Sequence, residues 1–131
     1  MDLVEVDRIR RVLRRHGTRF LERILTVAER EYVLRFADPA ERFAGRWAAK
    51  EAGMKALGTG LASGVGWHDL EIFHDERGKP LLRLHAQAAR IAERLNAQNA
   101  LVSITHSETA AAAVVILERA DQSPPTGGET P

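Results

Sequence analysis

A chain of 131 residues is long enough for one hydrophobic core and too short for two independent ones. Its 19 basic and 18 acidic residues leave a net charge of +1, too little for global attraction to nucleic acid or a membrane; the absence of cysteine excludes disulfides and thiolate metal sites. No run of eighteen apolar residues is present to span a bilayer, and the acids in MDLVEVDRIRRVLRR do not fit a secretory leader, so a cytoplasmic protein is expected.

Residues 2–6 alternate weakly, as the end of a strand or the start of a helix. From Asp7 the period is helical: Ile9, Val12 and Leu13 share one face, Arg8, Arg11 and Arg15 form a stripe beside it, and Gly17 is the expected stop. A second apolar set, Phe20, Leu21, Ile24 and Leu25, follows. Thr26 and Glu29 have capping-box spacing, which predicts a helix to about Phe36. Asp38-Pro39-Ala40-Glu41 reads as a further start, with Asp38 as cap and Pro39 at the first helical position. That helix should run to Leu57, with Gly58 just past its end.

The second half changes period. Trp67, Leu70, Ile72 and Phe73 lie in a strand-like run, Asp75 to Gly78 make a turn, and Leu82 and Leu84 alternate with Arg83 and His85. Ala86–Leu95 is rich in helix formers, and Leu101–Thr105 and Ala111–Leu117 read as two more strands. Helices first and strands later predict an α+β domain over residues 1–120, helices packed on an antiparallel sheet. Residues 121–131, rich in Pro, Gly, Ser and Thr, are expected to be a disordered tail.

The helix from Pro39 to Leu57 carries the chemistry. Phe43, Trp47, Met54 and Leu57 fill one narrow arc, and Ala44, Ala48, Ala52 and Ala56 repeat along another, so most of its surface should be buried. Lys50, Glu51 and Lys55 interrupt that pattern. Buried charges need partners, because their desolvation costs several kcal/mol. Two readings stay open on residues alone. Glu51 and Lys55 make a favourable i, i+4 pair, and Lys50 can extend its ammonium to water along an apolar stem. Alternatively, glycines 58, 60, 64 and 66 beside two lysines form a phosphate-binding loop, although the spacing is not that of a Walker loop.

The string from Phe43 through Gly45-Arg46-Trp47, Lys50-Glu51-Ala52, Lys55-Ala56 and Gly58-Thr59-Gly60 resembles the signature of the holo-acyl-carrier-protein synthases, within the phosphopantetheinyl transferases. The likeness also covers Asp2-Leu3-Val4-Glu5, Arg19-Phe20 to Thr26, Gly78-Lys79-Pro80 and Val102 to His106, and so spans residues 2 to about 118. It implies the phosphopantetheinyl transferase fold and transfer of 4′-phosphopantetheine from coenzyme A to a serine of an acyl carrier protein, releasing 3′,5′-ADP. It further implies Mg²⁺ on Asp2 and Glu51, and Lys55 on the coenzyme A phosphates. By the same resemblance Lys50, Gly58, Thr59 and Gly60 line the nucleotide site with His106 near it, and Asp2, Glu51 and Lys55 form the catalytic set. Arg8, Arg11 and Arg15, with Phe20 as apolar anchor, would dock the acidic carrier protein, and three copies of the chain would share active sites at their interfaces. The general base stays open among Asp2, Glu51 and a metal-bound water.

Two departures from the family pattern carry expectations of their own. Only Met1 precedes Asp2, where relatives carry several residues, which predicts a frayed terminus and a loosely held metal. Gly53 stands where a larger apolar residue is common, which predicts a cost to helix stability. The alternative functions are a weakly active homologue that only binds coenzyme A or the carrier protein, a nucleic-acid-binding module built on the arginine helix, and a Ser103/His106 hydrolase. The last two lack any accompanying motif.

Overall fold

The computed structural model describes residues 1–58 and 63–119. The expected tail at 121–131, and the loop positions Thr59 and Gly60, lie outside the described residues. Eleven elements follow in chain order: β1 (Asp2–Glu5), α1 (Val6–His16), α2 (Thr18–Ile24), α3 (Val27–Val33), α4 (Ala40–Ala56), a 3₁₀ turn (Trp67–Asp69), β2 (Leu70–His74), β3 (Pro80–Leu84), α5 (Ala86–Arg94), β4 (Ala97–His106) and β5 (Ala110–Arg119). The α+β class is as expected. The strands form two antiparallel sheets rather than one: β1-β5-β4, and the hairpin β2-β3.

Local signals in the sequence become local structure. Gly17 closes α1 with its N–H on the Leu13 carbonyl. Thr26 Oγ1 accepts from Glu29 N while Glu29 Oε1 accepts from Thr26 N, so the capping box forms. The helix it opens ends at Val33, short of Phe36. Asp38 Oδ1 accepts from Ala40 N and starts α4, with Pro39 as the residue before its first turn rather than within it. The strand-like run from Trp67 opens with a 3₁₀ turn and becomes a strand only at Leu70.

Helix α4 lies across all three strands of the larger sheet and is buried on most sides, from Phe43 to Met54. Its glycines set how closely it can approach. A Cβ on Gly45 would sit 2.9 Å from Ile104 Cγ2, and one on Gly53 would overlap Leu70 Cδ2. The expected penalty at Gly53 is therefore set against a packing requirement. Glycine costs helix propensity there, but any Cβ would have to displace the buried Leu70 side chain of β2. One face of the larger sheet buries Ala111, Ala113 and Val115 against α4, while Leu3, Leu101, Val114 and Ile116 stand exposed on the other. No helix among the described residues is long and apolar enough to cross a membrane.

Candidate active site

Strand β1 and helices α1 and α4 enclose a cleft of about 440 Å³, lined among others by Asp2, Arg8, Phe20, Trp47 and Glu51. Asp2 opens β1, paired opposite Ala113 of β5, and its side chain is only 12% exposed. The expectation of a frayed Asp2 is overturned, because strand pairing holds its backbone in the sheet. One carboxylate oxygen, Oδ1, accepts from Lys55 Nζ at 2.9 Å; the other, Oδ2, is buried without a hydrogen-bond partner. A buried acceptor in that state is costly unless a water or a cation meets it.

Glu51 lies one turn before Lys55 on α4, half-buried on the wall of the same cleft. Burial first, and then the negative charge of Asp2, push its carboxyl above the ordinary range, against the pull of Lys55, Trp47 and Arg8. Two carboxylates thus converge on a space that Lys55 and Arg8 only partly neutralise. Mg²⁺ prefers hard oxygen donors, takes one or two carboxylates and keeps positions for water and substrate phosphate, so the pair fits it. Among the described residues no group of three or more His, Asp or Glu side chains is placed to hold a metal.

The structure corrects the role expected of Lys50. Its side chain is fully buried, and Nζ donates to Glu29 Oε1 at 2.7 Å, Trp67 O at 2.9 Å and Leu70 O at 2.6 Å. All three donors are used and none faces a ligand. Glu29 also accepts from Ile72 N, so the pair pins α3, α4 and β2 together. Lys55, by contrast, is 67% exposed at the rim, and Gly58 follows just beyond the end of α4.

Arg8, Arg11 and Arg15 are exposed along α1, as the helical period predicts. Phe20 is only half exposed: its ring packs on Phe43 and Trp47, at centroid distances of 5.3 and 4.9 Å. Its free edge joins Val12, His16, Arg19 and Arg23 around a second depression of about 420 Å³. Arg19 and Arg23, outside the stripe read from the sequence, thereby ring the same apolar centre from α2.

His106 lies elsewhere. Its Nδ1 is 2.5 Å from Glu41 Oε1, in the first turn of α4, whereas Gly58 follows the last, roughly 25 Å away along the helix axis. Within one chain, then, His106 is not near Gly58, and the cavity it lines shares no residue with the Asp2 cleft. That cavity, about 330 Å³, is cationic: Arg42, Arg46 and His74 line it with Tyr32. Arg46 is 3% exposed, its guanidinium 4.2 Å from the Tyr32 ring centroid, and its Nε is buried with no hydrogen-bond partner. Around it Lys50 and Arg46 face Glu29, the one fully buried acid among the described residues, and burial pulls both cations toward their neutral forms. Arg46 stands within the string read from the sequence, but nothing there shows that its side chain turns inward.

The sequence profile of the 4′-phosphopantetheinyl transferase superfamily matches residues 1–115. A holo-[acyl-carrier-protein] synthase of Solibacter usitatus is 52% identical over 118 residues, 90% of this chain and 94% of the relative. The crystal structure of holo-[acyl-carrier-protein] synthase from Neisseria meningitidis superposes with a TM-score of 0.80 at 33% identity, covering 90% of this chain and 94% of that one. The enzyme from Bacillus anthracis, in complex with coenzyme A (3′,5′-ADP), gives 0.74 at 37% identity, covering 91% and 93%. Profile, sequence and fold agree over the same span, and the chain belongs to the holo-[acyl-carrier-protein] synthases of the 4′-phosphopantetheinyl transferase superfamily.

Proposed function

We propose that this chain transfers 4′-phosphopantetheine from coenzyme A to a serine of an apo-acyl-carrier protein, releasing 3′,5′-ADP, with Mg²⁺ held by Asp2 and Glu51. The observation that carries the reading is the buried, unpartnered Oδ2 of Asp2 beside a half-buried Glu51, with Lys55 at the rim. A magnesium ion bound there would neutralise charge gathering on the pyrophosphate as the bond to ADP breaks. The chain's own residues do the rest. Lys55 turns its ammonium to a phosphate oxygen of coenzyme A, and the walls from Phe20 to Trp47 keep solvent from one side of the cleft. The serine oxygen forms a bond to the phosphorus that carries pantetheine while the bond to the ADP oxygen breaks. The serine proton passes to a cleft carboxylate or to solvent. With no covalent intermediate required, most of the acceleration comes from positioning and electrostatics.

Arg8, Arg11 and Arg15 give an acidic carrier-protein helix its steering and register, and Phe20 with Val12 offers the apolar centre between them and Arg19 and Arg23. The anionic end of the nucleotide suits the cavity of His106, Arg42 and Arg46. One chain keeps this cavity apart from the Asp2 cleft, which supports a site shared between copies. The exposed apolar face of Leu3, Leu101, Val114 and Ile116 is the surface on which copies would meet, in a cytoplasmic homotrimer. Light scattering behind a sizing column measures that state directly; a monomer at working concentration would remove the shared site.

The test of the activity is mass spectrometry of an apo-carrier protein incubated with this chain, coenzyme A and Mg²⁺, in parallel with Glu51→Gln. The wild type should add the mass of phosphopantetheine, and Glu51→Gln should not. Coenzyme A binding without release of 3′,5′-ADP would instead favour a homologue that binds and does not turn over.

A further inference from the structure

Lys55 is placed for two anions that it cannot hold at once. Its ammonium sits 2.9 Å from Asp2 Oδ1, yet it is the group at the rim best placed to meet a phosphate. The two partners differ in kind. Asp2 is held by strand pairing and is nearly buried, so its carboxylate cannot follow the lysine outward. The Lys55 stem is exposed and unconstrained, so the ammonium can leave at little cost. Among the described residues its one hydrogen bond is to Asp2.

We infer that Lys55 is a tethered counter-ion: it occupies the Asp2 carboxylate when no divalent cation is bound, and entry of the cation expels it toward the substrate phosphate. The inference rests on the reading of Asp2 and Glu51 as the metal ligands and adds an order to the events. A metal at Asp2 and a phosphate on Lys55 require the same contact to break, so whichever binds first makes the other's binding easier. Free enzyme keeps its acidic cleft partly neutralised, and the lysine becomes available when the metal is in place. Arg8, the other cation on the cleft wall, makes no such contact with Asp2. It acts on the site only through its field.

The experiment is a titration of the free enzyme with Mn²⁺, without coenzyme A, reading unbound Mn²⁺ by electron paramagnetic resonance. Wild type, Lys55→Met, Lys55→Arg and Arg8→Met are compared. An exposed ion pair of ordinary strength predicts that Lys55→Met binds Mn²⁺ roughly two- to five-fold more tightly than wild type. Lys55→Arg, which keeps a cation on a long stem, should stay near wild type, and Arg8→Met should gain less than Lys55→Met. Equal or weaker binding by Lys55→Met would overturn the inference, and so would equal gains in Lys55→Met and Arg8→Met, since only the field of a nearby charge would then be at work. Absence of Mn²⁺ binding in all four proteins would overturn the metal site itself, and the inference with it.

Discussion

Replacing Lys50 with methionine tests whether this residue is a part of the frame or of the ligand site. Met fills a similar volume without charge, so the change removes three hydrogen bonds and little packing. Glu29 would keep its bonds from Thr26 N and Ile72 N but lose its buried counter-ion, and the Trp67 and Leu70 carbonyls would lose a shared donor. Breaking a buried ion pair from one side costs about 3–5 kcal/mol. Arg46 Nε, 4.0 Å from Glu29 Oε2, supplies some residual attraction and points to the lower end, about 3 kcal/mol. Against a total stability of roughly 5–15 kcal/mol that is a large loss. Urea unfolding followed by fluorescence of Trp47 and Trp67 measures it, and Glu29→Gln in the same chain should give a combined loss smaller than the sum of the two singles. Coenzyme A affinity of the folded Lys50→Met protein should be unchanged. A loss under about 1 kcal/mol together with weakened coenzyme A binding would return Lys50 to the ligand site.

Gly53→Ala should destabilise by about 1–3 kcal/mol, because the clash with Leu70 outweighs the gain of up to about 1 kcal/mol in helix propensity; a melting temperature at or above wild type would show that β2 yields freely. His74 is held below its ordinary value of 6.5 by burial and then by the charge of Arg46, so the unfolded chain takes up the proton first. Stability should therefore fall as pH drops below about 6.5, and His74→Gln should flatten that slope in melts between pH 7.5 and 5.5. Arg8→Glu should raise KM for the carrier protein by roughly ten-fold or more while leaving coenzyme A affinity within a factor of about two, since it reverses a charge on the docking face; equal effects on both would place Arg8 with the nucleotide.

The contrast between Thr26 and Gly53 shows what sequence reasoning reached. The Thr26 cap needs only Glu29, three residues on, and was legible for that reason. The fit at Gly53 depends on Leu70, which returns from beyond an intervening loop, so the glycine read as a cost. Lys50 repeats the lesson. Its period put it correctly on the buried arc, but its partner Glu29 belongs to another helix and its two carbonyl acceptors to the 3₁₀ turn and β2. Asp2 looked frayed because its anchor, Ala113, lies at the far end of the chain. Asp2, Arg8 and Glu51, matched to the family one by one, do meet in a single cleft, whereas His106 lies at the other end of α4. No linear motif states which of its members a fold brings face to face.

In the proposed reaction Asp2 and Glu51 together would hold a divalent cation against the pyrophosphate of coenzyme A. Anomalous scattering from crystals grown with Mn²⁺ and coenzyme A tests it most directly. A peak within coordination distance of Asp2 Oδ2 and a Glu51 carboxylate oxygen, with a phosphate oxygen as a third ligand, is the predicted result. Coenzyme A bound with no anomalous density between those two side chains would contradict it.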